Sequence, residues 1–395
     1  MIDFLKAFET VMDNLPAYEK IETVPLIGAF ERILAEDIKT DRDIPPFNRV
    51  AMDGYACRKD DIDKELSVIE VVPAGKIAEK KIGSGECSKV MTGCPLPEGA
   101  EIVFMVEISQ ELPENKVKCL DPQKALKSEN FAKTGEDIKK GETVIPKGTF
   151  ITVKHIPVIA SCGYGELQVM KKPIVGIIST GDELVEPYEN PKPYQIRNSN
   201  SWQLSQQVKK AGALSQYYGI VKDDEAKITD IIALAQLECD IILISGGISE
   251  GDFDFVPKAL KNCGFDIIFD KVAVKPGKPT TFAVNKDKVC FGLPGNPVST
   301  FVIFEVLVRP FILFMLGSEY LPQKIKTDIS TKFERKKTDR TEFIPVKIND
   351  DCKVEAVKYH GSGHFTSLLD ADGIMMIKKG VSKIEAGETV EVLII

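Results

Sequence analysis

The sequence lacks the short motifs that mark the commonest metal and nucleotide sites. Its nine cysteines are scattered, and no two of them form a C-x-x-C pair. This spacing excludes standard zinc ribbons and a disulfide framework, and it favours a reducing compartment, so we expect a cytoplasmic protein. Neither G-x-x-x-x-G-K-[ST] nor G-x-G-x-x-G occurs, which excludes a P-loop and the dinucleotide-binding fingerprint.

Isolated histidine, cysteine and tryptophan residues offer little chemistry. Of three histidines, only His360 and His364 are closely spaced, in a glycine-rich segment with no third ligand nearby, so a zinc site is not favoured. Cys162 and Cys290 have no neighbouring base in the sequence, so we interpret them as buried thiols. The single tryptophan, Trp202, is expected in the core.

Surplus positive charge and long uninterrupted apolar runs are also missing. Lys and Arg number 51 against 59 Asp and Glu, giving a net charge of −8, which argues against a nucleic-acid partner but allows a local basic pocket. The apolar run 301–316 contains Glu305 and Arg309, so it predicts a buried helix and no membrane span. Charges within the first fifteen residues argue against a signal peptide.

The predicted secondary-structure pattern changes along the 395 residues of the sequence. This length is typical of two to three domains. An amphipathic helix is predicted at the start, and short strands separated by Gly and Pro follow over about 67–154. Apolar runs alternate with helical patterns over about 173–317, which predicts βα units on a mostly parallel sheet. Short strands return over 322–395.

Three predicted strands of the βα segment end in glycine and polar residues. Ligands of open α/β sheets bind beyond the carboxyl ends of the strands, and glycine lets backbone N–H groups approach an anion. Three such loops in one segment therefore predict an anion site. The loops are Thr180-Gly181-Asp182-Glu183, the Gly246-Gly247-Ile248-Ser249 turn with Gly251 to Asp254, and Pro294-Gly295-Asn296-Pro297.

Two lysines and several carboxylates accompany these loops. Lys275 and Lys278 flank Pro276-Gly277, so both ammonium groups are held near one place, as a phosphate or another oxyanion requires. Asp53, Asp137, Glu183 and Asp254 each lie near glycine, and Mg²⁺ uses one or two carboxylates together with substrate phosphates. A plain turn explains any single Asp-Gly equally well.

The order of these motifs resembles that of the MoeA family, the molybdopterin molybdenumtransferases that include the E domain of gephyrin. The match spans nearly the whole chain, and its series of motifs is more specific than any single one. It rests on Pro45-Pro46-Phe47, Ala51-Met52-Asp53-Gly54-Tyr55, Thr92-Gly93, Gly135-Glu136-Asp137, Ser179 to Leu184, Asn198-Ser199, Ser245 to Ser249, Lys275 to Pro279, Gly292 to Ser299 and Gly361-Ser362-Gly363.

The resemblance implies insertion of molybdenum from molybdate into adenylylated molybdopterin, with Mg²⁺-dependent release of AMP. It implies that Asp53, Asp137, Glu183 and Asp254 are catalytic, and that Asp53, Glu183 and Asp254 bind the metal. The substrate-binding residues that it implies, together with the strand-end loops, are Gly181, Asp182, Ser245, Gly246, Gly247, Ser249, Lys275, Lys278, Pro294, Pro297, Arg340 and Ser362.

The resemblance also implies an architecture. We expect a multidomain α/β plus β protein with an elongated linking domain (1–44 and 135–170), an inserted all-β domain (45–134), a central doubly wound α/β molybdopterin-binding domain (171–320) and a C-terminal β-barrel-like domain (321–395). Family members are elongated homodimers, with the cleft between the α/β domain of one chain and the tail domain of the other. Partners implied are the molybdopterin adenylyltransferase and molybdoenzyme acceptors.

One departure and two alternatives qualify this interpretation. The family commonly has Asp and Ser where Asn48 and Val50 stand, which removes one acid from the loop before Asp53. The α/β segment alone also resembles molybdopterin adenylyltransferases and some nucleotide hydrolases, but the long β segments on both sides argue against those compact enzymes. A molybdopterin-binding carrier or scaffold without turnover is the non-enzyme alternative, which would have no need of the acids and lysines.

Overall fold

The structure is a computed structural model that describes residues 1–247, 255–318, 323–357, 361 and 363–395. Within these residues the chain forms three six-stranded sheets and five two-stranded ones. The three larger sheets follow one another along the chain, in the same order as the predicted segments 67–154, 173–317 and 322–395. The site residues lie on these sheets and on the loops between their strands.

The first large sheet is mixed, with one parallel pair among antiparallel ones. Tyr55 and Phe104 pack on one face and Val90 and Val103 on the other, as expected for strands that bury both faces. A short helix, Pro122–Ala125, begins at Asp121, whose carboxylate accepts the Lys124 N–H. In spatial order the strands are Ile102–Met105, Gly54–Cys57, Glu86–Val90, Glu65–Val72, Lys116–Cys119 and Ser109–Leu112.

Paired segments before and after this sheet connect it to the rest of the molecule. Most of them share a small apolar core around Leu34, Ile151 and Ile159, whereas Val50 belongs to a core of the first sheet. A 3-10 turn, Leu26–Gly28, follows the first of these segments. The elements are strands Ile21–Pro25 with Glu166–Met170, Ile38–Lys39 with Thr143–Ile145, Arg49–Val50 with Phe131–Ala132, and helix His155–Ser161.

The central sheet confirms the predicted βα pattern. Its first four strands are parallel, and the last two are antiparallel. Because the neighbouring strands at 174–180, 241–245 and 288–293 are parallel, their carboxyl ends meet at one edge of the sheet. In spatial order the strands are Leu214–Val221, Ile174–Thr180, Ile241–Ser245, Lys288–Leu293, Pro279–Asn285 and Asp266–Lys271.

Helices cover both faces of the central sheet. Asn200–Lys210 and the long apolar helix pack on the face that carries Val175 and Leu243. Glu225–Glu238 and Val256–Asn262 pack on the face that carries Ile178 and Ile244. Asp224 caps the helix at 225–238 by accepting the Lys227 N–H at 3.0 Å, as the sequence predicts.

The apolar run 301–316 forms a buried helix, as predicted. It comprises Pro297–Ile303, a π-helical turn Phe304–Val308 and Arg309–Met315. By length and hydropathy the stretch 297–315 could cross a membrane, but 89% of it is buried inside the protein. Its two charges satisfy each other, because Arg309 donates to Glu305 at 2.9 Å and Gln207 donates to the same carboxylate.

The third large sheet contains a strand that the sequence did not reveal. Val274–Lys275 leaves the central sheet and pairs in parallel with Thr341–Ile348. The remaining strands are antiparallel. They are Gly373–Ile377, Thr389–Ile394, Lys324–Asp328 and Val354–Ala356, with the separate pair Phe333–Glu334 and Lys383–Ile384.

Helix Phe4–Asp13 closes the junction between the central and third sheets. Its residue Phe4 packs edge-on against Phe343, with ring centroids 4.9 Å apart, and Val11 is fully buried. Trp202 contradicts the prediction of a core position: half of its surface is exposed. It lies at the start of helix Asn200–Lys210, where the tilted ring of Tyr217 lies beside it with ring centroids 6.3 Å apart.

Candidate active site

The three strand ends that the sequence singled out meet in space. The Gly246 N–H donates to the Leu293 carbonyl at 3.1 Å, so the second and third loops leave the sheet side by side. A methyl group on Gly295 would lie 3.9 Å from the Gly246 Cα. The prediction that these loops share one edge of the sheet is therefore confirmed.

Gly246 and Gly247 are needed for this close approach. Both have positive φ, +95° and +61°, which other residues adopt only with strain. A Cβ on Gly246 would lie 2.5 Å from the Thr180 carbonyl oxygen, and one on Gly247 would lie 2.6 Å from the Thr180 hydroxyl. The turn is therefore packed directly onto the end of the first strand.

A cleft of about 820 Å³ opens above these strand ends. Five residues predicted from the sequence line it, namely Glu183, Ser245, Gly246, Pro294 and Pro297. Gly181, Asp182 and Gly247 adjoin these residues in the chain without lining the cleft. The other lining residues are Thr180, Leu184, Pro191, Ile196, Arg197, Asn198, Ser199, Asn200, Pro279, Gly295, Asn296, Gly363 and Phe365.

The floor of the cleft carries polar atoms that the protein itself leaves unpaired. The Asn200 amide donates to the Ser245 hydroxyl and to the Gly295 carbonyl, both at 2.8 Å. Its amide oxygen and the Thr180 hydroxyl are buried and have no hydrogen-bond partner among the residues that the structure describes. Buried polar atoms are nearly always paired, so a polar ligand is the natural partner of these two.

Sequence reasoning missed Asn200 and Arg197 as cleft residues, and it named Thr180 only as part of a strand-end loop. The segment Asn198-Ser199-Asn200 carries part of the family resemblance, and its residue types also suit the start of a helix. In the structure Asn198 does that work, because its side-chain oxygen accepts the Ser201 N–H at 3.2 Å. The segment contains two asparagines, but a helix needs only one of them as a cap. The second asparagine could therefore have been assigned to the site from the sequence.

A second recess, which we call the basic pocket, lies where the third sheet meets the strand Val274–Lys275. It has a volume of about 510 Å³. Among the described residues, five cations surround it against two carboxylates, Glu334 and Glu342, so its field favours an anion. The cations are Lys275, Arg335, Lys336, Lys337 and Arg340. The structure thus brings Lys275, a predicted oxyanion ligand, together with Arg340, a predicted substrate-binding residue, whereas Lys278 lines neither recess.

The segment from Lys275 to Pro279 joins the two recesses. Lys275 lines the basic pocket and Pro279 lines the cleft, and the exposed Lys278 lies between them in the chain. Gly277 has φ +106°, and a Cβ there would lie 2.6 Å from the Ile303 side chain. The buried helix therefore fixes the course of this segment.

Asp53 and Asp137 lie elsewhere in this chain. Both are exposed and line neither the cleft nor the basic pocket. The backbone N–H and the hydroxyl of Thr92 both donate to the Asp53 carboxylate at 2.7 Å, and these bonds lower the pKa of Asp53. Among the described residues no group of three or more acids, cysteines or histidines could hold a metal ion.

Three predicted site residues, Ser249, Asp254 and Ser362, lie outside the described residues. The metal set of Asp53, Glu183 and Asp254 therefore stays a prediction. The interpretation of Cys162 and Cys290 as buried thiols is confirmed, because both are buried and burial raises the pKa of each thiol.

Known families match the chain in three consecutive parts. The MoeA N-terminal region (domain I and II) matches residues 2–163, the probable molybdopterin binding domain matches 176–313, and the MoeA C-terminal region (domain IV) matches 330–395. The molybdopterin molybdenumtransferase of Bacillus subtilis (strain 168) is 36% identical over 386 residues, which cover 95% of this chain and 90% of that protein. This chain belongs to the MoeA family.

Further MoeA relatives agree in sequence and in fold. The molybdopterin molybdenumtransferase of Staphylococcus aureus (strain Mu50 / ATCC 700699) is 34% identical over 94% of this chain and 90% of its own. The crystal structure of the molybdopterin biosynthesis moeA protein from Pyrococcus horikoshii OT3 superposes with a TM-score of 0.86 at 32% identity, covering all of both chains. The MoeA fold of N-terminal, molybdopterin-binding and C-terminal domains with mixed sheets is thereby established.

The C-terminal domain of this MoeA chain reaches its own cleft. Gly363 and Phe365 line it together with the strand-end loops of the same chain. The resemblance had implied that the tail domain of the other chain faces the α/β domain across the cleft. Contact between the two domains at this cleft therefore does not require a second copy.

Proposed function

We propose that this MoeA protein is a molybdopterin molybdenumtransferase that inserts molybdenum from molybdate into adenylylated molybdopterin and releases AMP. The observation that carries the proposal is the pair of recesses joined by the segment Lys275–Pro279. The cleft offers glycine turns and unpaired polar atoms, which suit a nucleotide with its phosphates. The basic pocket offers concentrated positive charge, which suits a small dianion such as molybdate.

The residues of this chain divide the work between the two recesses. The turn at Gly246 and the loop from Pro294 to Pro297 approach the phosphates with their backbone. Thr180 and Asn200 supply hydrogen bonds to the polar edge of the substrate. Lys275 and Arg340 neutralise the oxyanion, and Lys278 on the connecting segment stabilises charge on the anhydride that is cleaved.

Glu183 fits the requirements of a magnesium-bearing substrate. It is the acidic residue among the described residues that line the cleft. Mg²⁺ keeps much of its water and binds proteins through one or two carboxylates together with substrate phosphates, so a large acidic cluster is not needed. Bound Mg²⁺ would neutralise charge that develops on the phosphates, and Glu183 would orient it through a single carboxylate.

A homodimer would reconcile the separated acids with one active site. Asp53 and Asp137 are exposed in their own chain and line neither recess, yet the resemblance makes them catalytic together with Glu183. We propose that a second copy brings them to the cleft, as a two-fold dimer with two shared sites does. The linking and inserted domains, placed at 1–44, 135–170 and 45–134, would then form the arm that reaches the partner.

Mixed dimers test this sharing of acids directly. Asp53→Asn and Glu183→Gln should each be inactive alone, whereas a random equal mixture should regain about a quarter of the wild-type activity, because half of the dimers carry one intact site. Mixing Glu183→Gln with Gly246→Ala is the reference: both changes lie in the cleft of the same chain, so no mixed dimer has an intact site and the mixture should stay as impaired as its components. No recovery with Asp53→Asn would contradict a shared site.

The transferase proposal itself is tested by measuring AMP release. Adenylylated molybdopterin, Mg²⁺ and molybdate should yield AMP only when all three are present. Tight nucleotide binding without AMP would support the carrier or scaffold alternative. Absence of binding would contradict the proposal altogether, even though the chain belongs to the family.

We also propose that the protein acts in the cytoplasm, between the enzyme that makes its substrate and the enzymes that use its product. Free cysteines at Cys57, Cys87 and Cys94, all buried, are compatible with the reducing cytoplasm. An adenylylated pterin must come from an adenylyltransferase and the product must pass to molybdoenzymes, so both are proposed partners. Pull-down of these enzymes from a cytoplasmic extract, with loss on adding free substrate, would support direct transfer.

A further inference from the structure

The basic pocket contains a buried carboxylate, Glu342, whose role neither the sequence nor the family match explains. Only 7% of its side chain is exposed. Burying a carboxylate costs much free energy unless cations and hydrogen bonds compensate it. In a pocket that serves an anion, a carboxylate also opposes the ligand, so its presence calls for a specific reason.

Each oxygen of Glu342 contacts a different cation. Oε1 lies 2.7 Å from the Lys275 ammonium, and Oε2 accepts a hydrogen bond from the Arg335 guanidinium at 3.2 Å. The first contact follows from the backbone, because Lys275 and Glu342 are opposite each other in the parallel strand pair. The carboxylate therefore bridges a half-exposed lysine to an arginine of which only 5% is exposed.

Arg335 anchors this bridge to backbone carbonyls in the connections next to the third sheet. Its guanidinium donates to three carbonyl oxygens, at 2.6 Å to Lys378, at 2.7 Å to Val381 and at 3.0 Å to Arg340. A guanidinium has five donors in a rigid fork, so four acceptors fix it almost completely. One oxygen of Glu342 thus contacts the fixed guanidinium of Arg335, and the other can hold the more mobile ammonium of Lys275.

Arg340 belongs to the same network. Its backbone carbonyl accepts from Arg335, and its guanidinium donates to the Val274 carbonyl at 3.2 Å. Val274 directly precedes Lys275, so the Arg340 side chain holds the backbone next to that predicted oxyanion ligand. The same hydrogen-bond network therefore fixes the positions of Lys275 and Arg340 relative to each other.

We propose that Glu342, anchored by Arg335, is a positioning residue that holds the Lys275 ammonium beside Arg340 for binding the dianionic oxyanion. The inference rests on the proposed function, because it assumes that these two cations bind molybdate. An ammonium has three donors and Glu342 uses one, so two remain for the ligand. A lysine fixed in advance loses less side-chain entropy when the oxyanion binds.

Glu342→Gln separates positioning from simple electrostatics, because the two effects have opposite signs. Removing a negative charge next to the cations should tighten binding of a dianion if charge alone mattered. If Glu342 positions Lys275, the variant should raise the KM for molybdate about tenfold while kcat at saturation changes by less than about twofold. A lowered or unchanged KM overturns the inference.

Glu342→Asp provides a second variant that keeps the charge. The shorter side chain should lose contact with Lys275, so the KM for molybdate should rise to a value between those of the wild type and Glu342→Gln. A KM equal to that of the wild type would contradict positioning. Glu391→Gln is the matched control, because it removes an ion pair with Lys324, 3.0 Å long, in the same sheet and should leave KM unchanged.

Equilibrium dialysis of molybdate against the full-length dimer keeps this test independent of turnover. The dissociation constants should follow the KM values, with melting temperatures measured in parallel to show that each variant is folded. If the wild type binds molybdate and Lys275→Ala weakens it while Glu342→Gln does not, only the positioning role is wrong. If the wild type neither binds molybdate nor releases AMP, the proposed function and this inference both fail.

Discussion

The cleft and the basic pocket lie on either side of the segment Lys275–Pro279, but different chemical groups line them. The cleft is formed by backbone turns and neutral polar side chains, and its described charged residues are Glu183 and Arg197. The basic pocket is formed by long charged side chains, most of which extend from the connection 335–340 that precedes strand Thr341–Ile348. One recess depends on the close approach of the main chain and the other on concentrated charge.

This difference indicates how each recess discriminates. A backbone turn that touches the neighbouring strand has a fixed shape, so it selects a ligand by fit and hydrogen bonding. Flexible cations attract any small anion, and they become selective only when other groups fix them. The Glu342–Arg335 pair gives the basic pocket the rigidity that glycine contacts give the cleft.

The largest effect on ligand affinity is expected from Gly246→Ala, because this change disturbs the packed turn that shapes the cleft. Its Cβ would lie 2.5 Å from the Thr180 carbonyl oxygen, so the turn must move away from the strand end. We expect AMP affinity to fall about 100-fold, equivalent to about 3 kcal/mol, with a smaller loss of stability. Isothermal titration with AMP and thermal unfolding measure the two effects separately.

Gly219→Ala is the control for this change. Gly219 has a similar φ of +89° in the edge strand of the same sheet, but nothing lies within 4 Å of an added Cβ. It should therefore share the backbone strain, about 1 kcal/mol, and leave AMP affinity unchanged. Equal loss of affinity in both variants would show that strain, and not the packed turn, accounts for the effect.

An intermediate effect is expected from Lys278→Ala, which attacks charge on the segment between the recesses. A charge-assisted contact contributes about 1.5–3 kcal/mol, so molybdate-dependent turnover should weaken about 10- to 150-fold, and nearer the lower limit because Lys278 is exposed. The loss should shrink as salt is raised. The exposed Lys347, on strand Thr341–Ile348, gives a control variant, Lys347→Ala, that should behave as the wild type. Normal turnover of Lys278→Ala would remove Lys278 from the site.

The smallest effect is expected from Thr92→Val, which removes one hydrogen-bond donor to the Asp53 carboxylate. Neutral donors of Thr92 hold Asp53, whereas cations hold Glu342. Since the pKa of Asp53 is lowered, its contribution to stability is present above the ordinary pKa and is lost as pH falls through the lowered one. Thr92→Val should move this pKa back toward its ordinary value, as a carboxyl NMR titration measures.

Thr92→Ser completes the comparison at Asp53. It keeps a hydroxyl donor, so the pKa of Asp53 should stay low in this variant. Because the donors are uncharged, added salt should shift this pKa little in the wild type. An unchanged pKa in Thr92→Val would mean that the backbone N–H alone lowers it.

The sequence by itself determined the succession of sheets and one edge of the active site. Alternating apolar runs and helical patterns predict the central sheet, and parallel strands bring their carboxyl ends together wherever such a sheet forms. For this reason Ser245, Gly246 and Pro294 could be placed at one cleft before the structure was known. These predictions depend on local patterns, which a sequence displays directly.

The tertiary structure decided which distant residues share a recess. Val274–Lys275 joins the third sheet, and that pairing alone brings Lys275 to Glu342, 67 positions later in the numbering. Asp53 follows a similar sequence pattern but lies away from both recesses. Pairing between remote strands depends on how whole sheets pack, and no local pattern contains that information.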